Sequence, residues 1–308
     1  MITLEERQRI MDYDMYKLRV GSIDQLDIAR MSRNSHPAAI NLLKKYPDEI
    51  NWWWFVLNTS DEAIKMFKEK QHPVDTIWSL FAANPNPEAF ELLKDHFDKV
   101  GWSYQTWYFL SENTSPQAMQ LLKENKDNIN WSLLSGNPSD EAIKMLKDNE
   151  DKIDFDRLST NTNPEAIKML KEKYFDKICW GYLSENPCPE AIKILKENED
   201  KIVCCMLSSN TNPGAIKLLK EKYFDRIDWY RLSGNPCEEA IELLIQNPDK
   251  VCMEWLSSNP NIFERDYIKM TELRTRIILE DFLKDVLHPR RIIKFLELGG
   301  DMDDYLIN

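Results

Sequence analysis

The sequence lacks the residues and runs on which several classes of protein depend. It holds 8 glycines and 4 histidines in 308 residues, and it contains no glycine-rich phosphate loop, no nucleophile elbow and no His-Glu-x-x-His pair. No apolar run reaches the length of about 18 residues that a membrane-spanning helix needs, and the first residues lack the apolar core of a signal peptide. We therefore expect a non-enzymatic cytoplasmic protein that has no cofactor and no membrane contact.

Metal sites, disulfides and nucleic-acid binding are also not expected. None of the 6 cysteines belongs to a Cys-x-x-Cys pair with matching ligands, so small buried thiols are the simplest interpretation. The formal net charge is −12, and such a chain repels a phosphate backbone as a whole. No small-molecule substrate is evident, and the expected partner is another protein.

What the chain does contain is one pattern that recurs from residue 28 to residue 261. Its anchor is an asparagine in a Leu-Ser-x-Asn element, which returns at intervals of roughly 24 residues, as in tandem repeat proteins. An aromatic residue stands six positions before most anchors, a leucine three before, and an alanine five after. The anchors are Asn34, Asn58, Asn84, Asn113, Asn137, Asn161, Asn186, Asn210, Asn235 and Asn259.

Each copy of the pattern predicts two helices. From the alanine onward the apolar spacing is helical, and a Ser or Asn followed by Pro marks the N-terminus, as at Ser115 and Asn163. An asparagine such as Asn125 ends the helix, where we expect a left-handed backbone conformation. A second, shorter helix begins at the aromatic column and is capped by residues such as Asn130 and Asp154.

A leucine-rich horseshoe has a similar period and also uses an asparagine. That fold requires a strand with alternating apolar residues before the asparagine. Asp156, Arg157 and Arg231 occupy positions that such a strand would bury or border. The helical interpretation is therefore favoured, and the horseshoe remains the structural alternative.

The predicted fold class is all-α, an α-solenoid of nine to ten two-helix repeats. Because two short helices cannot bury their apolar faces alone, neighbouring repeats must stack, which predicts an open rod or arc roughly 80–100 Å long. Residues 1–27 are expected to form an N-terminal helical cap, residues 28–261 the repeats, and residues 262–308 a C-terminal helical cap. The repeated asparagines are expected to serve the scaffold through their amides.

Protein binding is best sought where the copies differ. Positions five and four before each anchor point away from the aromatic column at 100° per residue, so we expect them to be exposed. Exposed Trp, Tyr and Arg dominate protein interfaces. The alternative, that these aromatic side chains pack sideways on the next repeat, remains open. The candidate protein-binding edge comprises Trp53, Trp54, Tyr108, Phe109, Tyr182, Tyr230, Arg231 and Trp255.

The recurring Trp-x-x-Leu-Ser-x-Asn and Ala-Ile-x-Leu-Leu columns resemble the short α-helical repeats found in proteins of giant nucleocytoplasmic DNA viruses. The segment from His288 to Ile292 and the Gly-Gly-Asp that follows it resemble the closing segment of such proteins. The resemblance implies no defined activity. It implies a protein-binding adaptor in the host cytoplasm or, alternatively, a structural component of the virion.

Overall fold

The protein is all-α, and its computed structural model describes residues 16–21, 25–69, 75–299 and 301. The chain forms two compact units. The larger unit is Leu18–Phe263, and the smaller comprises the described residues of Met1–Lys17 and Glu264–Asn308. Within the described residues, no helix is both long enough and apolar enough to span a bilayer.

Short and long helices alternate along the larger unit. A short helix of about six residues ends before each anchor asparagine, and a longer helix follows most of these asparagines. The predicted two-helix pattern is therefore present. In chain order the helices are α1 (Ile28–Met31), α2 (Pro37–Lys45), α3 (Trp52–Phe55), α4 (Asp61–Glu69), α5 (Asp75–Phe81), α6 (Pro87–Val100), α7 (Tyr104–Leu110), α8 (Pro116–Glu124), α9 (Trp131–Gly136), α10 (Asp140–Asp148), α11 (Phe155–Thr160), α12 (Pro164–Lys173), α13 (Trp180–Glu185), α14 (Pro189–Glu197), α15 (Cys204–Leu207), α16 (Pro213–Lys222), α17 (Trp229–Ser233), α18 (Glu238–Gln246) and α19 (Met253–Leu256).

The predicted N-terminal caps are confirmed. Ser115 Oγ accepts a hydrogen bond of 3.2 Å from the N–H of Ala118, and Asn130 Oδ1 accepts one of 2.9 Å from Leu133. These side chains satisfy backbone donors that have no partner inside the helix. Because helix, not strand, precedes the asparagines, the leucine-rich horseshoe is excluded.

The predicted C-terminal caps use a different geometry from the one expected. Asn125 follows α8 with φ −129° and ψ 53°, and positive φ among the described residues occurs only at glycine. Its Nδ2 instead donates to the carbonyl of Leu121 at 2.8 Å. The side chain thus satisfies a terminal carbonyl directly, so the left-handed backbone is not needed. Asn149, Asn198 and Asn247 do the same.

The core of the larger unit follows the sequence columns. Alanines such as Ala118 and Ala166 and leucines such as Leu134 and Leu158 are fully buried. Alanine permits close approach of neighbouring helices, and the leucines fill the space between short and long helices. Truncating a buried leucine to alanine in such a core costs about 2–5 kcal/mol.

The repeated asparagines link each short helix to the one before it. Asn161 Nδ2 donates to the carbonyls of Ser135 at 2.8 Å and Asn137 at 2.9 Å. Its Oδ1 accepts from the N–H of Asn163 at 2.9 Å. The amide therefore bonds three backbone groups in two neighbouring turns, which confirms the scaffold role predicted for this column.

The asparagine bonds form a closed cycle, so the open rod or arc predicted from the sequence is wrong. Asn34, the first anchor, donates to the carbonyls of Ser257 at 3.2 Å and Asn259 at 2.9 Å. Asp27 N–H donates to Ser257 Oγ at 2.7 Å, as the equivalent residues do elsewhere. The helix α1 thus packs against α19 with the same hydrogen bonds that join sequential neighbours. We call this junction between α19 and α1 the seam.

The chain changes its pattern where the seam forms. The element directly after α19 is not a long helix but a 3₁₀ turn at Pro260–Ile262, which leads into strand β2 (Phe263–Arg265); β2 pairs with β1 (Tyr16–Leu18). Arg19 donates its N–H to the carbonyl of Ile262 at 2.8 Å and forms an ion pair with Glu238. The N-terminal segment is thereby tied to the last turns of the larger unit.

The structure agrees with the predicted C-terminal helices but not with a helix at Tyr16–Leu18. Residues 1–15 and 22–24 of the predicted N-terminal helical cap lie outside the described residues, and Tyr16–Leu18 form a strand instead of a helix. In the smaller unit, α20 (Tyr267–Val286) and α21 (Pro289–Glu297) lie within residues 262–308, where a C-terminal helical cap is predicted. His288 caps α21 by accepting the N–H of Arg290 at 3.2 Å.

Candidate functional site

The short helices line the inside of the closed cycle. They are joined directly by the asparagine bonds, whereas grooves open between consecutive long helices. One such groove, of about 600 Å³, lies between α16 and α18 and is lined by Ile216, Lys217, Lys220 and Glu242. In a closed cycle the elements that approach most closely lie nearest its centre, so the long helices lie outside.

The face of the short helices that turns away from the long helices is mostly accessible. We call it the inner face; it comprises the residues five, four and one before each anchor asparagine. Trp53 is 52% exposed, Tyr182 40%, Tyr230 65% and Trp255 38%. The other candidate residues on the predicted binding edge, Trp54, Tyr108, Phe109 and Arg231, are half-buried.

Two positions in this row are covered, contrary to the expectation of exposure. Ser79 is 2% exposed and Leu133 5% exposed. The Ser79 hydroxyl lies 3.3 Å from that of Thr106 on the next short helix. Exposure in this row therefore does not follow side-chain size alone, because the small Cys205 is exposed whereas Trp54 and Tyr108 are half-buried.

Some inner-face aromatic side chains also pack sideways, as the alternative interpretation proposed. The Arg30 guanidinium lies 5.5 Å from the ring centroid of Trp54 and 5.2 Å from that of Trp255, so one arginine bridges rings that are far apart in sequence. A Cβ added to Gly234 would meet the Trp255 ring at 3.5 Å. Because Trp255 keeps part of its surface exposed, packing and accessibility coexist here.

Arginine and lysine are separated between the two faces. Arg30, Arg157 and Arg231 lie on short helices and Arg33 lies in the turn after α1, and no lysine occurs in any short-helix segment from seven residues before the anchor to the anchor itself. The long helices of the larger unit carry no arginine, and all of them except α18 carry lysine. Interfaces are enriched in Arg, Trp and Tyr and depleted in Lys. This signal is readable in the sequence, although the sequence analysis above did not use it.

The outer surface is a solvated Lys–Glu surface. Lys147 on α10 pairs with Glu165 on α12 at 3.0 Å, and Lys123 on α8 pairs with Glu141 on α10. Hydrogen bonds from Lys123 and then Lys144 lower the pKa of Glu141 to about 2. Exposed pairs of this kind add little stability individually, so their chief effect is to keep the outer surface polar.

The described thiols are free, and none of them belongs to a group of three or more potential metal ligands. All six cysteines are described, and each is a free thiol. Burial raises the pKa of the Cys237 thiol to about 11, and its Sγ lies 2.9 Å from Glu239 Oε2. In the part of the chain that the structure describes, no three His, Cys, Asp or Glu side chains come together as a metal site.

A second scaffold column was missed by the sequence analysis. The serine two residues before most anchors accepts a backbone N–H from the next short helix; Ser208 Oγ, for example, lies 3.0 Å from the nitrogen of Asp228. The Ser184 and Ser233 hydroxyls also donate to the carbonyl four residues earlier. The Leu-Ser-x-Asn repetition contained this signal, because a buried hydroxyl requires a partner.

Comparison of the chain with protein-family models, with curated proteins and with solved structures finds no match.

Proposed function

We propose that residues 28–261 form a non-catalytic α-solenoid of nine to ten two-helix repeats that closes on itself and binds protein partners through its inner face. The observation that carries this proposal is the composition of the inner face. Trp53, Tyr182, Tyr230 and Trp255 are exposed there, and the cations among them are arginines without lysine. Such a face has the composition of an interface, whereas the outer Lys–Glu surface has the composition of a solvated one.

The size of the opening supports a peptide or a single helix as the bound element. Ten helices spaced by about 8–10 Å around a circle have axes about 13–16 Å from its centre. Subtracting half of the helix diameter of about 10–12 Å leaves an opening about 15–20 Å across. An extended peptide or one α-helix fits such an opening, and a folded domain would meet only its rim.

The biological setting follows from the resemblance to giant-virus repeat proteins, which is itself part of the proposal. In that setting the protein is an adaptor that binds host or viral proteins in the infected cytoplasm. The second candidate is a structural component of the virion. A rigid cycle with repeated inner-face positions supports both uses, and they differ in the abundance and stoichiometry of the partner.

The proposal is tested by affinity purification from cells that contain the natural partners, followed by mass spectrometry. The tagged protein is compared with a Trp53→Ala/Tyr182→Ala/Tyr230→Ala variant. These side chains are 40% or more exposed, so the variant should unfold at nearly the same urea concentration. Proteins retained by the parent and lost by the variant would support the inner face as the binding surface.

A matched control changes the outer surface instead. Lys144→Ala/Lys217→Ala alters exposed lysines on α10 and α16 whose side chains are 67% and 72% exposed. If this control loses the same proteins, or if the inner-face variant retains them all, the proposed binding surface is wrong. Particle proteins recovered in near-equal amounts would favour the structural role, and regulatory proteins at low yield would favour the adaptor.

A further inference from the structure

Closure of the cycle gathers aromatic and arginine side chains from both ends of the sequence into one surface at the seam. We call this surface the seam patch; it comprises Arg30, Arg33, Trp53, Trp54, Tyr230 and Trp255. Arg30 lies 5.2 Å from the ring centroid of Trp255 across the seam and 5.5 Å from that of Trp54 on α3. Tyr230 lies on α17, the short helix before α19. The two helices are joined by hydrogen bonds from the Asn259 side-chain amide to the carbonyls of Ser233 and Asn235.

The opposite part of the inner face is different in composition. There the corresponding positions carry Ser132, Asp156, Gly181 and Cys205. Tyr182 and Arg157 are the comparable side chains on that side. Because hot-spot residues act when they cluster around a common centre, the seam patch is the part of the inner face that best meets that requirement.

The two seam arginines differ in their state of pairing. Arg30 forms an ion pair with Glu254 and lies 4.0 Å from Asp27, so its charge is largely satisfied within the protein. Arg33 is exposed, and its guanidinium has no ion pair anywhere in the described chain. An exposed guanidinium that has no ion pair among the described residues, on the same inner face as the exposed Trp53 and Trp255, provides a bidentate donor for a carboxylate.

From this arrangement we propose that the seam patch is the docking site for an acidic peptide segment in which a carboxylate neighbours an aromatic side chain. The carboxylate pairs with Arg33, and the aromatic side chain packs on Trp53 and Trp255. Local charge complementarity selects a carboxylate, because Arg33 is the exposed cation of the seam patch that has no ion pair among the described residues. The inference rests on the proposed function, of which it specifies the site and the chemistry of the partner.

The test uses a synthetic peptide in which glutamate alternates with phenylalanine, titrated against the full-length protein by calorimetry and by tryptophan fluorescence. A second peptide replaces every glutamate with glutamine. We expect the glutamate peptide to bind about tenfold more tightly or better, because a hydrogen bond to a charged group exceeds that to a neutral one by that order. Equal affinity of the two peptides would overturn the role of Arg33.

Matched variants locate the site on the cycle. Arg33→Ala should weaken binding of the glutamate peptide about tenfold, whereas Arg157→Ala, which also removes an exposed arginine without an ion pair, should leave it unchanged. Likewise Trp53→Ala should weaken binding and Tyr182→Ala should not. Equal losses from both members of a pair would overturn the seam patch while leaving the inner face as the binding surface.

Two further outcomes separate this inference from the proposed function. If neither peptide binds but natural partners are still lost from the inner-face triple variant, the partner chemistry is wrong and the proposed function stands. If a single-stranded oligodeoxythymidine binds as tightly as the glutamate peptide and Arg33→Ala weakens it equally, the ligand is a nucleic acid and the acidic-peptide inference fails.

Discussion

Replacing Asn34 with alanine should destabilise the larger unit as strongly as the same change at an interior asparagine. Asn34 is 0% exposed and bonds three backbone groups: the carbonyls of Ser257 and Asn259 and the N–H of His36 at 3.0 Å. Alanine would leave these buried groups without the amide. At about 1–3 kcal/mol for each group left unsatisfied, with partial compensation, the expected loss is about 3–6 kcal/mol.

That loss is large enough to measure against the total. A folded domain is stable by about 5–15 kcal/mol, so Asn34→Ala should shift the midpoint of urea unfolding strongly. The shift should appear equally in far-UV circular dichroism and in tryptophan fluorescence if the cycle unfolds cooperatively. Asn161→Ala is the control, because Asn161 is also 0% exposed and makes the equivalent three bonds.

The comparison distinguishes a closed cycle from an open array. In an open array the Asn34 amide would face water, and alanine there would cost only about 1 kcal/mol, since water replaces the lost bonds. Equal destabilisation by Asn34→Ala and Asn161→Ala supports closure. A loss of 3 kcal/mol or more at Asn161 together with about 1 kcal/mol or less at Asn34 would refute it, and with it the adjacency of the residues in the seam patch.

Three other predictions follow from groups near the seam and in the thiol column. Stability should fall as the pH drops below 6.5, because burial lowers the pKa of His36 below that ordinary value and its Nδ1 must stay unprotonated to accept the Ala38 N–H. The unfolded state binds more protons in that range, so the stability present above pH 6.5 is lost as the pH falls through the pKa that His36 has in the folded state. The His36→Asn substitution should remove this pH-dependent part of the stability in urea titrations at several pH values. Gly21→Ala should lower the melting temperature, because Gly21 has φ +74° and an added Cβ would lie 2.7 Å from Met253 Cε. The expected cost in stability is about 1–3 kcal/mol. Gly181 has open space around it, so Gly181→Ala should not destabilise the protein. At neutral pH an aromatic disulfide reagent should modify the exposed Cys205 quickly and Cys237 only after unfolding, because burial raises the pKa of the Cys237 thiol to about 11. Mass spectrometry of the digested protein separates both thiols from the half-buried Cys179 and Cys252, and rapid labelling of Cys237 in the folded protein would contradict this.

The local elements could be predicted because their causes are local. Ser115 ahead of Pro116 and Asn130 ahead of Trp131 contain their own capping signal, and the structure uses both. The repeated asparagine was predicted to serve the scaffold because it returns in every copy, and a binding site rarely needs so many copies. The C-terminal conformation was predicted wrongly at Asn125, where the side chain reaches the Leu121 carbonyl and replaces the left-handed backbone geometry that asparagine often provides.

Closure could not be predicted, because curvature belongs to no single repeat. The direction of an array is the sum of small rotations between neighbours, and a change of a few degrees at each junction separates an arc from a closed cycle. The candidate binding edge was predicted from helical position and composition, which do not indicate which of its residues become neighbours across the seam. That Trp54 and Trp255 share one arginine depends on the accumulated rotation, which no local pattern encodes.

Closure also explains how the first and last short helices are stabilised. An open array exposes an apolar face at each end and requires terminal caps with polar outer sides. Here Met31 on α1 and Leu256 on α19 are both 0% exposed, as fully buried as Leu158 in the middle of the chain. Each end therefore covers the other, and the side chains that an open array would place at its two ends, Trp53 and Trp255 among them, form one surface. The stability of the fold and the location of the seam patch thus depend on the same junction, so a variant that opens the seam should lose both together.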